Sequence, residues 1–213
     1  MSSKASLDTA RLDDWFAQYG FLNRKQLFWY MYNNGLLCAV GFDNKPFNYE
    51  ALYFVQPLYD YSECFVLDYG DTLVRKYARK AQRYLLYKDM EQAAFDRNLN
   101  FTLKCFEKDI IPFLNRIAPT PDLSRSVNKK MLFCDSSKYL RLKAYTALYL
   151  RHFDEARLLF EQYVESIKEN GYSYENILAE PILLLEHLKQ DPEEALTVLK
   201  DNVTNSRTSL KLN

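Results

Sequence analysis

The chain has 213 residues, of which 48% are hydrophobic and 26% are charged, and its formal net charge at pH 7 is zero. This composition is typical of a globular protein with one large domain or two small ones, and the zero net charge excludes a general attraction to nucleic acid or anionic membranes. Only five glycines are present, which argues against glycine-rich phosphate loops and against a turn-rich all-β fold.

The first predicted element is a helix from Ser6 to Gly20, where apolar residues recur at the spacing of one helical stripe. Ser6 or Asp8 can cap its first turn by accepting backbone hydrogen bonds. Gly20 can end it in the left-handed conformation at little steric cost.

An aromatic stretch follows from Leu27 to Tyr69, with 13 of the 33 aromatic residues of the chain. Such residues favour a pleated, half-buried surface, and Asn34-Gly35 tolerates the positive φ angles of a tight hairpin turn. We predict four mostly antiparallel strands: Gln26–Tyr32, Leu36–Phe42, Phe47–Gln56 and Glu63–Asp68. The first strand is apolar on both faces, so an uncovered face would expose an aromatic binding surface.

The rest of the chain has helical periodicity. We predict a helix capped by Asp71 or Thr72 that runs to about Lys88, and a second over 91–117 that kinks or breaks near Ile111 because Pro112 follows. The segment over 119–130 is rich in Pro and Ser, which indicates a linker. Four further helices are predicted over 136–150, 154–170, 173–189 and 191–203, with a frayed end over 205–213.

The predicted fold class is α+β: an N-terminal helix and a four-stranded, mostly antiparallel sheet, followed by a helical region. The predicted domains are an α+β sheet domain over 1–118, a linker over 119–130 and a helical-hairpin lobe over 131–213.

The segment from Leu140 to Phe160 resembles a tetratricopeptide-type helical hairpin. In that family two small residues pack against each other across a turn that contains an aromatic residue, and Ala144, Phe153 and Ala156 match these positions. A second unit around Ala195 stands 39 residues later rather than 34, and Leu183 replaces its first small residue. Because about three repeats are needed for an independent solenoid, the resemblance implies hairpin packing attached to another domain.

A second resemblance lies in Phe54-Val55-Gln56-Pro57-Leu58-Tyr59 followed by Leu67-Asp68-Tyr69-Gly70-Asp71-Thr72-Leu73. These segments resemble a family of uncharacterised bacterial proteins of unknown function, with relatives near polymorphic-toxin immunity genes. The resemblance implies the order N-terminal helix, curved antiparallel sheet and helices. It transfers no catalytic residue.

The sequence contains no motif for metal or nucleotide binding or for nucleophilic catalysis. Its two histidines, His152 and His187, lack ligand-spaced partners, so we predict no metal, no cofactor and no catalytic residue. The four cysteines, of which Cys38 is the first, form no CxxC pair and are predicted to be buried free thiols. No signal peptide or membrane-spanning run is visible, and we predict a cytoplasmic protein without membrane contact.

Two charged ridges are candidates for electrostatic contacts. Basic residues from Arg75 to Arg83 would line one side of the predicted helix, either as a solvated face or to contact an acidic protein or phosphates. Glu161, Glu165 and Glu169 form an acidic ridge with spacing i, i+4, i+8, either solvated or suited to a basic partner.

Three functions remain open on the sequence alone. The first is a non-catalytic protein-interaction module of the immunity or adaptor kind, which binds a protein partner through the aromatic sheet and a groove between the lobes. The second is a small-ligand-binding protein or enzyme with a cleft between sheet and helices, and the weakest is RNA binding through the basic ridge. The candidate binding residues are Trp29, Tyr32, Tyr53, Gln56, Tyr59, Arg75, Arg79, Arg83, Glu161 and Glu165.

Overall fold

The computed structural model describes residues 5–25, 27–66, 69–77, 79, 84–128, 136–169 and 175–212. The chain is α+β, with an antiparallel sheet and several helices. The strands are β1 Leu22–Lys25, β2 Phe28–Asn33, β3 Leu36–Asn44, β4 Asn48–Pro57, β5 Gly70–Thr72 and β6 Leu85–Tyr87. The helices are α1 Thr9–Ala17, α2 Leu73–Lys76, α3 Gln92–Cys105, α4 Ile111–Arg116, α5 Leu123–Asn128, α6 Ser136–Tyr149, α7 Phe153–Glu169, α8 Glu175–Gln190 and α9 Pro192–Ser209.

Contacts divide the chain into two compact units. Unit 1 consists of Met1–Asn33, Leu37–Val55 and Gly70–Ile117, and unit 2 of Asn34–Leu36, Gln56–Tyr69 and Ala118–Asn213. Two short segments from the N-terminal half therefore belong to the same unit as the C-terminal helices. The division into domains at residues 118 and 130 stays a prediction.

Unit 1 begins with α1, which forms as the sequence predicts. The Asp8 side chain accepts a hydrogen bond from the backbone N–H of Arg11, and Gly20 has a φ of 81°. The hairpin turn between β2 and β3 is also as predicted, because Asn34 and Gly35 have φ angles of 45° and 82°.

In the described residues the sheet has six strands, so the predicted count of four is wrong. Its order is β1-β2-β3-β4-β5, and β6 also pairs with β4. Strands β5 and β6 pair antiparallel with different segments of β4: β6 pairs with residues 48–50 and β5 with residues 52–54. Gly70 in β5 is required sterically, since a Cβ there would lie 2.3 Å from the carbonyl oxygen of Tyr53.

Two predicted elements between β4 and α3 are wrong. Residues 63–66 form no strand, and the rest of the predicted strand lies outside the described residues. The helix predicted to run to Lys88 does not reach that residue: the described residues hold the short turn α2, capped by Thr72, and strand β6 begins at Leu85. Leu86 is buried and Tyr87 is exposed, so pairing with β4 overrides the helical periodicity there.

The predicted helix over 91–117 forms, with an irregularity just before Pro112. A π-helical turn, Phe106–Ile110, separates α3 from α4. Proline lacks a backbone N–H and its ring crowds the carbonyl four residues earlier, which here belongs to Lys108 within the π-helical turn. The wider turn therefore takes the place of the predicted break.

Aromatic rings fill the interior of unit 1. Phe16 of α1 stacks on Trp29 of β2 with ring centroids 4.5 Å apart, and Phe42 and Phe106 meet the same cluster edge-on at 5.7–6.3 Å. The Trp29 indole N–H donates to the Asp13 carboxylate at 2.7 Å. All four rings are essentially inaccessible.

In unit 2 the four C-terminal helices α6 to α9 form close to their predicted places. The range predicted as a linker contains α5, whose Leu123 and Val127 are buried. The predicted frayed end is wrong, because α9 continues to Ser209 and Leu210 is buried. Ala144 and Ala156 are buried, while the tetratricopeptide likeness itself stays a prediction.

The cysteines are only partly as predicted. Cys38 and Cys105 are buried free thiols, but Cys64 is exposed, and Cys134 lies outside the described residues. Burial raises the pKa of the Cys38 thiol to about 12, so the thiol keeps its proton at neutral pH. No helix in the described ranges is long and apolar enough to span a bilayer.

Candidate functional site

A cleft of about 430 Å³ opens within unit 2. Two parts of the chain form its walls: the end of β4 with the segment that follows it, and the helices α6, α7 and α8. Its lining residues are Gln56, Pro57, Asp60, Tyr61, Ser62, Val66, Tyr69, Ser137, Lys138, Arg141, Tyr163, Ile167 and Ile177. The lining combines aliphatic and aromatic side chains with a few polar groups, as is usual for ligand sites.

An ion pair between Asp60 and Arg141 is the main charged feature of the cleft. The Arg141 Nε lies 2.9 Å from Asp60 Oδ2, and its Nη2 lies 2.6 Å from Oδ1. This two-pronged geometry fixes both the position and the plane of the guanidinium. The nearby carboxylate raises the pKa of Arg141 further above its ordinary value, so the group stays protonated.

A network of buried and half-buried polar side chains extends from this ion pair. The guanidinium of Arg141 lies 5.4 Å from the ring centre of Tyr145, and the Tyr145 hydroxyl donates to Glu180 Oε1 at 2.6 Å. The Asn202 side-chain amide donates to the same Glu180 oxygen and to the Tyr59 carbonyl, each at 3.2 Å. The network ties α6, α8 and α9 to the segment that follows β4.

Burial affects the ionisation of two members of this network. It raises the pKa of Glu180, although the hydrogen bonds from Tyr145 and Asn202 oppose the shift. It also raises the pKa of Tyr145 well above 10, so the hydroxyl keeps its proton and remains a donor to Glu180.

Gln56 holds one wall of the cleft in place. Its side-chain amide donates to the Cys64 carbonyl at 3.1 Å and accepts from the Val66 N–H at 3.0 Å. The side chain therefore pairs with the backbone of residues 64–66 much as a neighbouring strand would. The Gln56 side chain thus satisfies the Cys64 carbonyl and the Val66 N–H, which in a strand would bond to the backbone of a neighbouring strand.

The structure buries most of the aromatic candidates for the binding surface. Trp29, Tyr53, Gln56 and Tyr59 are at most 3% exposed, whereas Tyr32 is 42% exposed. A side chain buried to this extent presents almost no surface to a partner in this conformation. Of the five, Gln56 alone belongs to the lining of the cleft.

Tyr59 has a structural role in unit 2. Its hydroxyl lies 2.9 Å from Thr146 Oγ1, and its ring stacks on Tyr149 with centroids 4.4 Å apart. Gly35 packs against the same two rings, and a Cβ there would come within 2.9 Å of the Tyr149 hydroxyl. The hairpin glycine is thus needed for close packing as well as for its positive φ.

Only the first part of the predicted basic ridge lies in a described helix, the short α2. Arg75 is the third residue of α2 and lies 3.8 Å from the Asp71 carboxylate, while Arg79 is exposed beyond the end of α2. Arg83 lies outside the described residues. RNA binding through this segment stays a prediction.

The predicted acidic ridge lies along α7. Glu161 and Glu165 are exposed, and Glu161 is 4.0 Å from the Lys189 ammonium group of α8. At that distance an exposed pair contributes little to stability. Neither glutamate lines the cleft.

Sequence reasoning missed the two charged residues of the cleft, Asp60 and Arg141. Asp60 stands between two tyrosines, and Arg141 lies on α6 close to apolar residues. A charged residue within an otherwise apolar segment is the available signal, but the sequence contains no indication that these two residues, 81 positions apart, form a pair.

No metal site is found in the parts of the chain that the structure describes: they hold no group of three or more His, Cys, Asp or Glu side chains that could bind an ion. The sequence matches no protein-family model and no curated protein, and the fold matches no solved structure.

Proposed function

We propose that this chain is a non-catalytic interaction protein, of the immunity or adaptor kind, that binds a segment of a protein partner in the cleft of unit 2. The observation that carries the proposal is the fixed Asp60–Arg141 pair inside a preformed, largely apolar cleft. A site whose polar groups are already oriented loses little conformational entropy when a ligand binds.

The hydrogen bonds of the cleft support binding rather than chemistry. Asp60 holds Arg141, Gln56 holds the segment at 64–66, and the Tyr69 hydroxyl donates to the Lys138 carbonyl at 3.2 Å. Groups used in this way maintain the shape of the site. A general acid or base would instead have to be available to exchange a proton with a substrate.

The burial of the sheet strands is a second reason to place the binding surface in the cleft rather than on the aromatic sheet. Strands β3 and β4 are buried on both faces along most of their length. The cleft, by contrast, carries the exposed side chain of Ile177. An exposed aliphatic group beside a fixed cation can contact both apolar and polar parts of a partner segment.

Binding of a small molecule is the second candidate function. It is favoured by the cavity volume of about 430 Å³, which falls within the range of roughly 300–1,000 Å³ for small-ligand pockets. Both candidates use the same cleft, so they differ in the kind of molecule that occupies it.

The test compares two substitutions on α8. Ile177→Arg places a long cation in the cleft, and Ile182→Arg makes the same change at a similarly exposed position that does not line it. Affinity capture from the native cell should retain a partner with the unmodified chain and with Ile182→Arg, and lose it with Ile177→Arg.

Two results would change this view. A partner retained equally by both variants would show that binding occurs elsewhere. A small molecule released on denaturation of the purified chain, but not of the Ile177→Arg variant, would favour the second candidate function.

A further inference from the structure

In the part of the chain that the structure describes, two hydrogen-bond donors that line the cleft are unpaired: one nitrogen of Arg141 and the hydroxyl of Tyr163. Nε and Nη2 of Arg141 both donate to Asp60, whereas Nη1 and the Tyr163 hydroxyl make no hydrogen bond within the described residues. Both groups are accessible, because the one buried side-chain polar atom without a partner in those residues is Thr102 Oγ1.

The two open donors lie close together and are held in place. Asp60 is the main cause of the raised pKa of Arg141, with smaller contributions from Tyr145 and Tyr163, which places the Tyr163 hydroxyl near the guanidinium. The ring centre of Tyr145 lies 5.4 Å from the guanidinium, and Tyr163 is 3% exposed, so packing restricts both side chains. A ligand acceptor therefore meets donors that have already lost their rotamer freedom.

Other polar groups of the lining already have partners. The Tyr61 hydroxyl donates to Glu63 at 3.2 Å. The Ser62 hydroxyl donates to the Cys64 carbonyl at 2.7 Å, which also accepts from the Gln56 side-chain amide. A ligand group that displaced one of these partners would gain one hydrogen bond and lose another. The two open donors are thus the polar groups from which a ligand gains most.

The charges around these donors favour an uncharged acceptor. Asp60 neutralises Arg141, and the half-buried Glu180 adds a second carboxyl to the same network through Tyr145. Lys138 has an interaction partner of its own. A ligand carboxylate would be repelled by Asp60 and Glu180, and a ligand cation by Arg141. A neutral carbonyl oxygen accepts the same hydrogen bonds without either repulsion.

Apolar surface lies one helical turn from the open donors. Tyr163 and Ile167 both line the cleft and are four residues apart on α7, so a rise of about 5.4 Å separates them. The exposed Ile177 of α8 extends this surface. Since an extended peptide advances about 3.3 Å per residue, a carbonyl at Tyr163 places a side chain one or two residues away beside Ile167.

We propose that the cleft recognises a backbone carbonyl in an uncharged, aliphatic segment of the partner. The carbonyl oxygen accepts hydrogen bonds from Arg141 Nη1 and the Tyr163 hydroxyl, and an aliphatic side chain one or two residues away contacts Ile167 and Ile177. This inference rests on the proposed function and specifies the ligand of that same site. Arg141 then has two roles: it binds Asp60 to maintain the fold, and it binds the partner through Nη1.

The probes are three leucine dipeptides that differ in charge. One is acetylated and amidated and carries no charge, the second has a free amino group, and the third has a free carboxylate. Each is titrated into the full chain, and binding is followed by calorimetry and by the ¹H–¹⁵N resonance of the Arg141 Nε–H group. The uncharged dipeptide should bind at least about threefold more tightly than either charged form, and added salt should leave its affinity unchanged.

A second series tests the carbonyl itself. Each backbone amide of the uncharged dipeptide is replaced in turn by a trans-alkene of the same shape, which removes one carbonyl at a time. One of these replacements should weaken binding about tenfold, as expected for the loss of a hydrogen bond from a charged donor.

A matched pair of variants tests the role of the Tyr163 hydroxyl. Tyr163→Phe removes this donor and keeps the ring, so it should weaken the uncharged dipeptide about threefold. It should leave the affinity of the weakened alkene analogue unchanged, because the two losses concern the same hydrogen bond. Tyr139→Phe makes the same change on α6 outside the lining and should change neither affinity.

The outcomes separate this inference from the proposed function. Tighter binding of either charged dipeptide would overturn the assignment of an uncharged ligand. Equal affinity of every alkene analogue, or an equal effect of Tyr163→Phe on the dipeptide and its analogue, would overturn the carbonyl contact. So would the absence of dipeptide binding at millimolar concentration while Ile177→Arg still abolishes capture of the native partner. If capture survives Ile177→Arg, the proposed function fails.

Discussion

Units 1 and 2 differ in what fills their interiors. Among its described residues, unit 1 buries a cluster of aromatic rings and few polar side chains, namely Asp71 and Thr102. The described part of unit 2 buries five polar side chains: Gln56, Ser124, Thr146, Asn202 and Ser206. Its half-buried Asp60, Arg141 and Glu180 extend the polar network towards the cleft.

This difference shows where function can be sought. Aromatic density in unit 1 reflects packing, because burying large rings strongly stabilises a fold. Polar groups away from water cost free energy unless they are paired. In unit 2, Gln56, Asp60 and Arg141 are paired polar groups of this kind, and all three line the cleft.

The largest expected effect is the loss of an aromatic ring from unit 1. Trp29→Ala should lower the free energy of unfolding by about 3–5 kcal/mol, because it leaves a cavity against Phe16 and removes the bond to Asp13. Chemical denaturation followed by circular dichroism measures the change.

Tyr32→Ala is the matched control on the same strand, since its side chain is 42% exposed. It should cost less than about 1 kcal/mol. Equal effects of the two substitutions would contradict the conclusion that the aromatic residues of β2 differ in role according to burial.

An intermediate effect is expected when the ion pair of unit 2 is broken. Asp60→Asn should destabilise the chain by about 1–3 kcal/mol, because an amide N–H would face the Arg141 donors and leave the cation without its carboxylate. The same denaturation experiment applies. The control is Asp201→Asn, at an exposed position on α9, for which a change within about 0.5 kcal/mol is expected.

The smallest expected effect is a change in how stability depends on pH. Because burial raises the pKa of Glu180, the folded chain holds this proton more tightly than the unfolded chain. The stability from protonated Glu180 is fully present below the ordinary glutamate pKa of 4.5 and is lost as the pH rises through the raised value.

Glu180→Gln should remove this dependence. The difference in unfolding free energy between the unmodified chain and the variant should therefore favour the unmodified chain more at about pH 4 than at about pH 7. Glu186→Gln, at an exposed position on the same helix, is the control. A difference that grows in the opposite direction would show that Glu180 is stabilised in its ionised form.

Local signals in the sequence correctly predicted the elements that depend on neighbouring residues. The cap at Asp8, the helix end at Gly20 and the turn at Asn34-Gly35 each follow from the conformational preferences of one or two residues. The places of α6 to α9 follow from helical periodicity.

Strands β5 and β6 were not predicted, and residues 63–66 were wrongly predicted to form a strand, because their conformations depend on distant partners. β6 has three residues, and its pairing with β4 joins positions nearly 40 residues apart. The segment at 63–66 departs from a strand because the side chain of Gln56 takes its backbone hydrogen bonds. The sequence of a short apolar run does not show which distant residues it will bond to.

By itself, the sequence determined the α+β class, the order of most elements and the presence of an aromatic core, since these follow from periodicity, capping and hydrophobicity along the chain. Only the tertiary structure decided which aromatic residues are buried, which strand pairs with which, and that Asp60 and Arg141 meet in a cleft. The physical reason is that burial and ion pairing belong to contacts between residues far apart in the chain, and the free energy of each contact depends on all the groups around it.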